Sequence, residues 1–130
     1  MTCVNRIPVV SALMLALSMS FAQIVHAATP APSKSEINAL LQVLQTSGCQ
    51  FNRNGSWYTA AEARDHMSRK VDYVENHGGF NSTEDFIEVV ATKSSMSGQA
   101  YQVRCSQGAA MPSAQWMAQT LKNLRRPKSP

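Results

Sequence analysis

The chain has 130 residues, with twelve lysines and arginines, eight acids and a formal net charge of +4. This length suits one domain with one hydrophobic core and excludes a separate catalytic domain. Four of the basic residues lie in the last nine positions, and we expect residues 126–130 to form a solvated tail. A nucleic-acid surface needs basic residues clustered on a folded face, so we expect no nucleic-acid partner.

Residues 1–27 have the pattern of a secretory signal peptide. Arg6 precedes an apolar run from Ile7 to Val25, and small residues at Val25 and Ala27 match a cleavage site. A retained membrane anchor is the alternative, but serine and glutamine residues interrupt the run. We expect cleavage after Ala27 and an exported protein that is not attached to the membrane.

The first predicted helix follows a short linker. Residues 28–33 are rich in proline and alanine and are predicted to be a flexible spacer. Ser33 and Glu36 match a capping box, and leucines follow at helical spacing. This pattern predicts an amphipathic helix over 34–46.

A β-hairpin is predicted next. Phe51 and Arg53 alternate with polar residues, as in a half-buried strand. Asn54-Gly55 is a strong signal for a two-residue hairpin turn, and Trp57-Tyr58 forms the predicted return strand.

Two further helices are predicted from their caps. Thr59 and Glu62 form a capping box that opens a helix ending near Asn76. Ser82 and Asp85 resemble the same device and open a third helix, which gives way to a serine-rich loop.

The last strand and helix complete the predicted fold. Tyr101, Val103 and Cys105 alternate with polar residues as a strand, and Ser113 is predicted to cap the final helix. The inner face of that helix is predicted to hold Trp116, Met117, Leu121 and Leu124. The fold class is therefore α+β, with four helices around a two- or three-stranded antiparallel sheet, in the order α-β-β-α-α-β-α, in one domain over 34–125.

Cys49 and Cys105 are the two cysteines that follow the signal peptide, and in an exported protein they predict a disulfide. A redox pair is the alternative, but redox cysteines usually lie close together at a helix start. Two thiols without a flanking histidine also make a poor zinc site. We therefore expect a structural bond, no metal and no cofactor.

His66 is the candidate catalytic or binding group of the second helix. Glu62 lies one helical turn before His66, so it is a candidate to orient the imidazole of a general base or ligand. The alternative is a solvated helix face with local i,i+4 pairs.

Ser94 to Gly98 form the serine-rich loop. Ser94 falls on the buried face of the third helix, where its hydroxyl needs a hydrogen-bond partner, for which the Val90 carbonyl is a candidate. A hydrolase would pair His66 with Ser94, Ser95 or Tyr58, but no Gly-x-Ser-x-Gly elbow is present.

The chain resembles the YfeK-like family of small exported proteins. The resemblance spans about Glu36 to Arg125 and lies in Gly48-Cys49-Gln50-Phe51-Asn52-Arg53-Asn54-Gly55, Trp57-Tyr58, Ala63, His66, Phe86-Ile87, Ala91, Ser94-Ser95-Met96-Ser97-Gly98, Tyr101 and Val103. It implies a periplasmic location in Gram-negative bacteria and a domain of unknown function, and it transfers no catalytic residue.

Ser97-Gly98-Gln99-Ala100-Tyr101 also resembles an element of the periplasmic inhibitors of C-type lysozyme. Those inhibitors are β-barrels, whereas this chain is predicted to be mainly helical. An inhibitor acting through Ser97 and Tyr101 stays the third hypothesis, after a binding module and a hydrolase.

The preferred hypothesis is a monomeric, non-catalytic binding module for a periplasmic protein or cell-envelope ligand, because polar loops on a rigid scaffold suit recognition. Its candidate binding residues are Arg53, Asn54, Tyr58, His66, Ser94, Ser95, Ser97 and Tyr101. Antiparallel pairing of the first and last strands is expected to bring Arg53 toward Tyr101 and the Ser94–Gly98 loop. This contact is either a structural clamp or a binding site.

Overall fold

The computed structural model describes residues 28–129 and contains four helices packed against a four-stranded antiparallel sheet with strand order β2-β1-β3-β4. The elements are α1 (Ala31–Thr46), β1 (Gln50–Arg53), β2 (Ser56–Tyr58), α2 (Ala60–Glu75), α3 (Thr83–Phe86, continuing as a π-helix over Ile87–Ala91), β3 (Gln102–Arg104), β4 (Met111–Pro112) and α4 (Ser113–Leu124). The predicted α+β class is confirmed, and the sheet contains one short strand, β4, in addition to those predicted.

The disulfide between Cys49 and Cys105 is confirmed, with the two sulfurs 2.01 Å apart. Cys49 directly precedes β1 and Cys105 directly follows β3, which are the two central strands. The bond therefore closes the end of the sheet that lies opposite the hairpin turn.

The predicted hairpin is also confirmed. Arg53 pairs with Ser56, so the turn contains only Asn54 and Gly55, with φ of 53° and 85°. Positive φ at both positions is the signature of a type I′ turn, whose twist matches that of the strands. The Gly55 amide donates to the Asn52 side-chain oxygen.

Strand register decides which side chains face the helices. Phe51 pairs with Tyr58 on β2 and with Val103 on β3. Cross-strand partners share one face of a sheet, and side chains two positions apart share it too. Phe51, Arg53 and Tyr58 therefore lie on the face that α2 covers.

The core lies between this sheet face and the helices. Leu40 and Leu44 of α1 are fully buried, and Phe80 packs edge-on against Phe86 with ring centroids 5.8 Å apart. Each such side chain contributes roughly 1.5–3 kcal/mol by leaving water. The buried face of α2 is formed by Ala60, Ala63 and Met67, while Val71 and Val74 are partly buried.

Helix α1 begins at Ala31, three residues before its predicted start, so residues 31–33 of the predicted spacer are helical. Pro30 precedes the helix and a second proline lies in its first turn, where the fixed φ favours a helix and no N–H is needed. The predicted capping box at Ser33 does not form. Glu36 instead accepts hydrogen bonds from Thr83 and Arg125.

The caps of the other helices agree with the sequence predictions to different degrees. Thr59 and Glu62 form the predicted capping box of α2. Ser82 caps α3 as expected by accepting from the Asp85 amide. Ser113 is not the cap of α4, because it is the first helical residue and its fully buried hydroxyl has no hydrogen-bond partner among residues 28–129.

The inner face of α4 is narrower than predicted. Met117 and Leu121 are buried, whereas Leu124 is exposed and belongs to the last turn. Trp116 is half-buried and packs edge-on against Phe51 at 5.7 Å.

Across residues 28–129, no helix is long and apolar enough to cross a membrane. The predicted signal peptide, residues 1–27, lies outside the described part of the chain.

Candidate functional site

A cavity of about 250 Å³ lies between the β1–β2 hairpin and α2. We call it the hairpin cavity. Its buried floor is formed by Phe51, Ala63 and Met67, and the half-buried Tyr58 forms part of its wall. An apolar floor beneath a few polar groups is the usual composition of a ligand site.

Three side chains from different elements meet in this cavity. Arg53 lies at the end of β1, His66 lies in the middle of α2, and Tyr101 directly precedes β3. The pairing of Asn52 with Gln102 continues toward Arg53 and Tyr101, which places them beside each other at the end of the ladder. The predicted approach of Arg53 to Tyr101 is explained by this register.

His66 lies between Arg53 and Tyr101 and contacts both. Its Nδ1 lies 3.2 Å from Nη1 of Arg53, and its Nε2 lies 3.2 Å from the Tyr101 hydroxyl oxygen. A guanidinium only donates hydrogen bonds, so Nδ1 must be the acceptor and the ring proton of the neutral imidazole must lie on Nε2. That proton donates to Tyr101, which leaves the Tyr101 O–H free to donate elsewhere.

The charge state of His66 follows from its surroundings. Burial, and then the positive charges of Arg53, Lys70 and Arg69, lower the pKa of His66 from 6.5 to about 4. The imidazole is therefore neutral at neutral pH, in agreement with the hydrogen-bond pattern.

Lys70 contacts the aromatic ring of Tyr101. Its ammonium lies 5.3 Å from the centroid of the Tyr101 ring and donates to the carbonyls of Val90 and Lys93 at 3.0 and 3.3 Å. Burial lowers the pKa of Lys70 and raises the pKa of Tyr101. The ammonium thus connects α2 to the end of the π-helix, a type of distortion that is frequent at functional sites.

Arg53 keeps most of its donors free. Its guanidinium carbon lies 4.9 Å from the centroid of the Tyr58 ring, and its one side-chain hydrogen bond within residues 28–129 is to His66. Within the same residues, no carboxylate lies within ion-pair distance of Arg53. The Nε and Nη2 donors are therefore available to a ligand.

Four of the eight predicted binding residues line the hairpin cavity. They are Arg53, Tyr58, His66 and Tyr101. The candidate role of Glu62 in orienting His66 is not supported, because Glu62 accepts from the amide and hydroxyl of Thr59 and these bonds lower its pKa.

The other four candidates, Asn54, Ser94, Ser95 and Ser97, lie outside the cavity lining. The hairpin turn does contact the serine loop, since the Ser97 hydroxyl donates to the Asn54 side-chain oxygen at 2.5 Å. Ser94 is buried as predicted, but its hydroxyl accepts from the Ser97 amide instead of bonding the Val90 carbonyl. Ser95 is exposed.

The predicted bonds between Arg53 and the serine loop are wrong. Arg53 lies on the helix-covered face of the sheet and bonds His66, whereas the next residue, Asn54, faces the loop. Arg53 is the last residue of β1, whereas Asn54 already belongs to the turn.

Arg69 and Asp65 also line the cavity and were not among the predicted site residues. Arg69 follows His66 by three positions, a spacing that places two side chains on neighbouring parts of a helix surface. The same spacing rule that singled out Glu62 therefore contained the signal for Arg69.

Among residues 28–129, no group of three or more histidine, cysteine or acidic side chains is arranged to hold a metal ion.

Comparison with known protein families matches residues 31–125 to a family described as "Family of unknown function (DUF5329)". No curated protein and no solved structure matches the chain.

Proposed function

The chain belongs to the DUF5329 family, and we propose that it is an exported, non-catalytic binding module that holds a small ligand in the hairpin cavity. One observation carries this proposal. Arg53, His66 and Tyr101 come from three separate parts of the chain and join in one hydrogen-bonded chain above an apolar floor. Side chains fixed in this way bind a ligand without first losing their own conformational freedom.

The hydrogen-bond pattern favours binding over hydrolysis. A general base needs a ring nitrogen with a free lone pair facing the hydroxyl that it activates. In His66 the lone pair on Nδ1 is taken by Arg53, and Nε2 presents its proton to Tyr101. Ser94, the buried hydroxyl of the serine loop, bonds Ser97 and does not line the cavity.

The geometry also disfavours a lysozyme inhibitor acting through Ser97 and Tyr101. Such an inhibitor needs both side chains on an exposed projection. Ser97 is exposed, but only 4% of Tyr101 is accessible.

Export is supported by two features of the chain. Residues 1–27 match a signal peptide, and a disulfide is compatible with an oxidising compartment. We propose a periplasmic location, as the resemblance to the YfeK-like family implies.

An NMR screen tests the binding function. Isotope-labelled protein that starts at Ala28 is titrated with a fragment library containing acidic, basic and neutral compounds. We expect some fragments to shift the amide signals of Arg53, His66 and Tyr101 in a saturable manner.

Ala63→Leu is the matched variant, because Ala63 lies in the cavity floor and a larger side chain fills the space. It is expected to abolish these shifts while the protein stays folded. Gln102→Ala, on the exposed sheet face, is expected to leave them unchanged. A library in which no fragment shifts the cavity signals contradicts the proposal.

A further inference from the structure

We propose that the ligand of the hairpin cavity is a monocarboxylate with a compact apolar body, such as a monocyclic aromatic acid. This inference rests on the proposed binding function and names the chemical class that the site recognises.

The first argument is the unpaired guanidinium. Arg53 is half-buried, and no carboxylate of residues 28–129 lies within ion-pair distance of it. Holding a cation partly away from water without a counterion is unfavourable, so the free protein favours an anion at this point.

The second argument is the shape of the free donors. Because Nη1 of Arg53 donates to His66, the Nε and Nη2 edge remains without a hydrogen bond within the described residues. These two N–H groups point in parallel and match the two oxygens of a carboxylate. Neither nitrogen is among the buried unpartnered side-chain atoms of residues 28–129, which are Arg64 Nε and Ser113 Oγ.

The third argument is the Tyr101 hydroxyl. It accepts the His66 Nε2 proton and has no other side-chain hydrogen bond within residues 28–129. Its own O–H is therefore a donor beside the same cavity. Burial raises the pKa of Tyr101, which keeps the phenol protonated and able to donate. His66 acts as a positioning residue for both donors.

Two acids of the cavity lining, Glu62 and Asp65, disfavour a second negative charge on the ligand. Glu62 and Asp65 are exposed and line the cavity, as does the exposed Arg69. Asp65 lies 3.8 Å from Arg64, and Glu62 accepts from Thr59. Their charges oppose a dianion more strongly than a monoanion, because like charges repel over these distances.

The floor and the volume define the rest of the ligand. Phe51, Ala63 and Met67 offer an apolar surface to a hydrocarbon group. The cavity of about 250 Å³ is smaller than the roughly 300–1,000 Å³ of sites for drug-sized ligands. A single ring or a short branched chain is therefore the appropriate size.

Three probes of similar size and shape show how the charge of the ligand affects its binding. Phenylacetate, its neutral amide phenylacetamide, and phenyl phosphate are titrated into the protein at pH 7.5 and followed by NMR and calorimetry. We expect phenylacetate to bind at least about tenfold more tightly than the amide, because ionised hydrogen-bond pairs are roughly twice as strong as neutral ones. At this pH, phenyl phosphate is mainly a dianion and is expected to bind more weakly than phenylacetate.

Variants assign the recognition to named groups. Arg53→Gln is expected to remove the preference for acid over amide, and Tyr101→Phe to weaken phenylacetate binding several-fold. Arg104→Gln is the matched control, because Arg104 is also half-buried but packs on the Trp57 ring outside the cavity lining. It is expected to bind phenylacetate like the wild type.

Equal affinity for acid and amide, or tighter binding of phenyl phosphate, overturns the monocarboxylate inference while the binding function stands. Unchanged phenylacetate binding in both Arg53→Gln and Tyr101→Phe also overturns it. If none of the three probes binds while other library fragments occupy the cavity, the ligand class is wrong. If no compound of any charge binds, the binding function itself fails.

Discussion

Reducing the Cys49–Cys105 disulfide is expected to lower stability substantially without unfolding the protein at 25 °C. The bond joins residues separated by 56 positions and encloses the hairpin, α2, α3 and β3. The reduced protein keeps every side chain, so a comparison of oxidised and reduced wild type isolates the effect of the cross-link.

The loop length determines the size of the effect. The chain-entropy relation gives about 4 kcal/mol for a loop of this length, because the cross-link restricts the unfolded chain. For a domain of this size, each kcal/mol changes the melting temperature by about 4–8 °C, which predicts a decrease of roughly 15–30 °C. The helices still bury the leucines of α1 and the Phe80–Phe86 pair, so the reduced state is expected to retain cooperative unfolding.

Thermal and urea unfolding followed by circular dichroism measure this difference with and without a phosphine reductant. The variant Cys49→Ala/Cys105→Ala is expected to have a melting temperature close to that of the reduced wild type. The reductant is expected to leave that temperature unchanged. Thiol titration of protein isolated from the periplasm is expected to find no free thiol. Equal melting temperatures for oxidised and reduced wild type refute the reasoning.

Three further predictions concern the hairpin, a helix cap and the cavity. Gly55→Val is expected to cost about 1–2 kcal/mol in urea melts because of its φ of 85°, whereas Ser56→Val on the adjacent strand costs little; equal costs argue against the turn. Thr59→Ala is expected to cost about 1 kcal/mol and Ser33→Ala nearly nothing, and the reverse order contradicts the observed caps. The pKa of His66 is lower in the folded state than in the unfolded state. Neutral His66 therefore stabilises the folded protein fully above pH 6.5, and this stabilisation is lost as the pH falls through about 4. Relative to His66→Gln, wild type is expected to lose about 1–2 kcal/mol over this range, less than the full shift because solvent screens a partly buried ring; parallel stability curves refute this.

Features of the fold that depend on neighbouring residues were predictable from the sequence. The Asn54-Gly55 turn and the Thr59 cap are each determined within a few positions of the chain, and both are confirmed. The Ser33 cap failed because Pro30 already permits the helix to start at Ala31. Strand β4 has only two residues, too few for a hydrophobic pattern to be recognised.

The candidate site was predictable only in part, because it depends on the placement of α2 across the sheet. Strand pairing correctly brought Arg53 near Tyr101, but no local pattern indicated that His66 would lie between them. The π-helix over Ile87–Ala91 was not predictable from a local pattern either. It leaves the Val90 carbonyl to Lys70, a partner 20 positions away.

The buried Thr29 has a practical consequence for how this protein should be produced and trimmed. Its hydroxyl donates to Glu75 and accepts from the Phe80 amide, and a Cβ at Gly79 would approach it to 2.6 Å. The family match begins at residue 31, so a recombinant fragment cut at that boundary would lose this contact and leave a buried amide without its acceptor. By contrast, cleavage after Ala27 would leave a single residue ahead of it. A purification tag fused at that end therefore needs a linker, since the new terminus lies next to a packed surface.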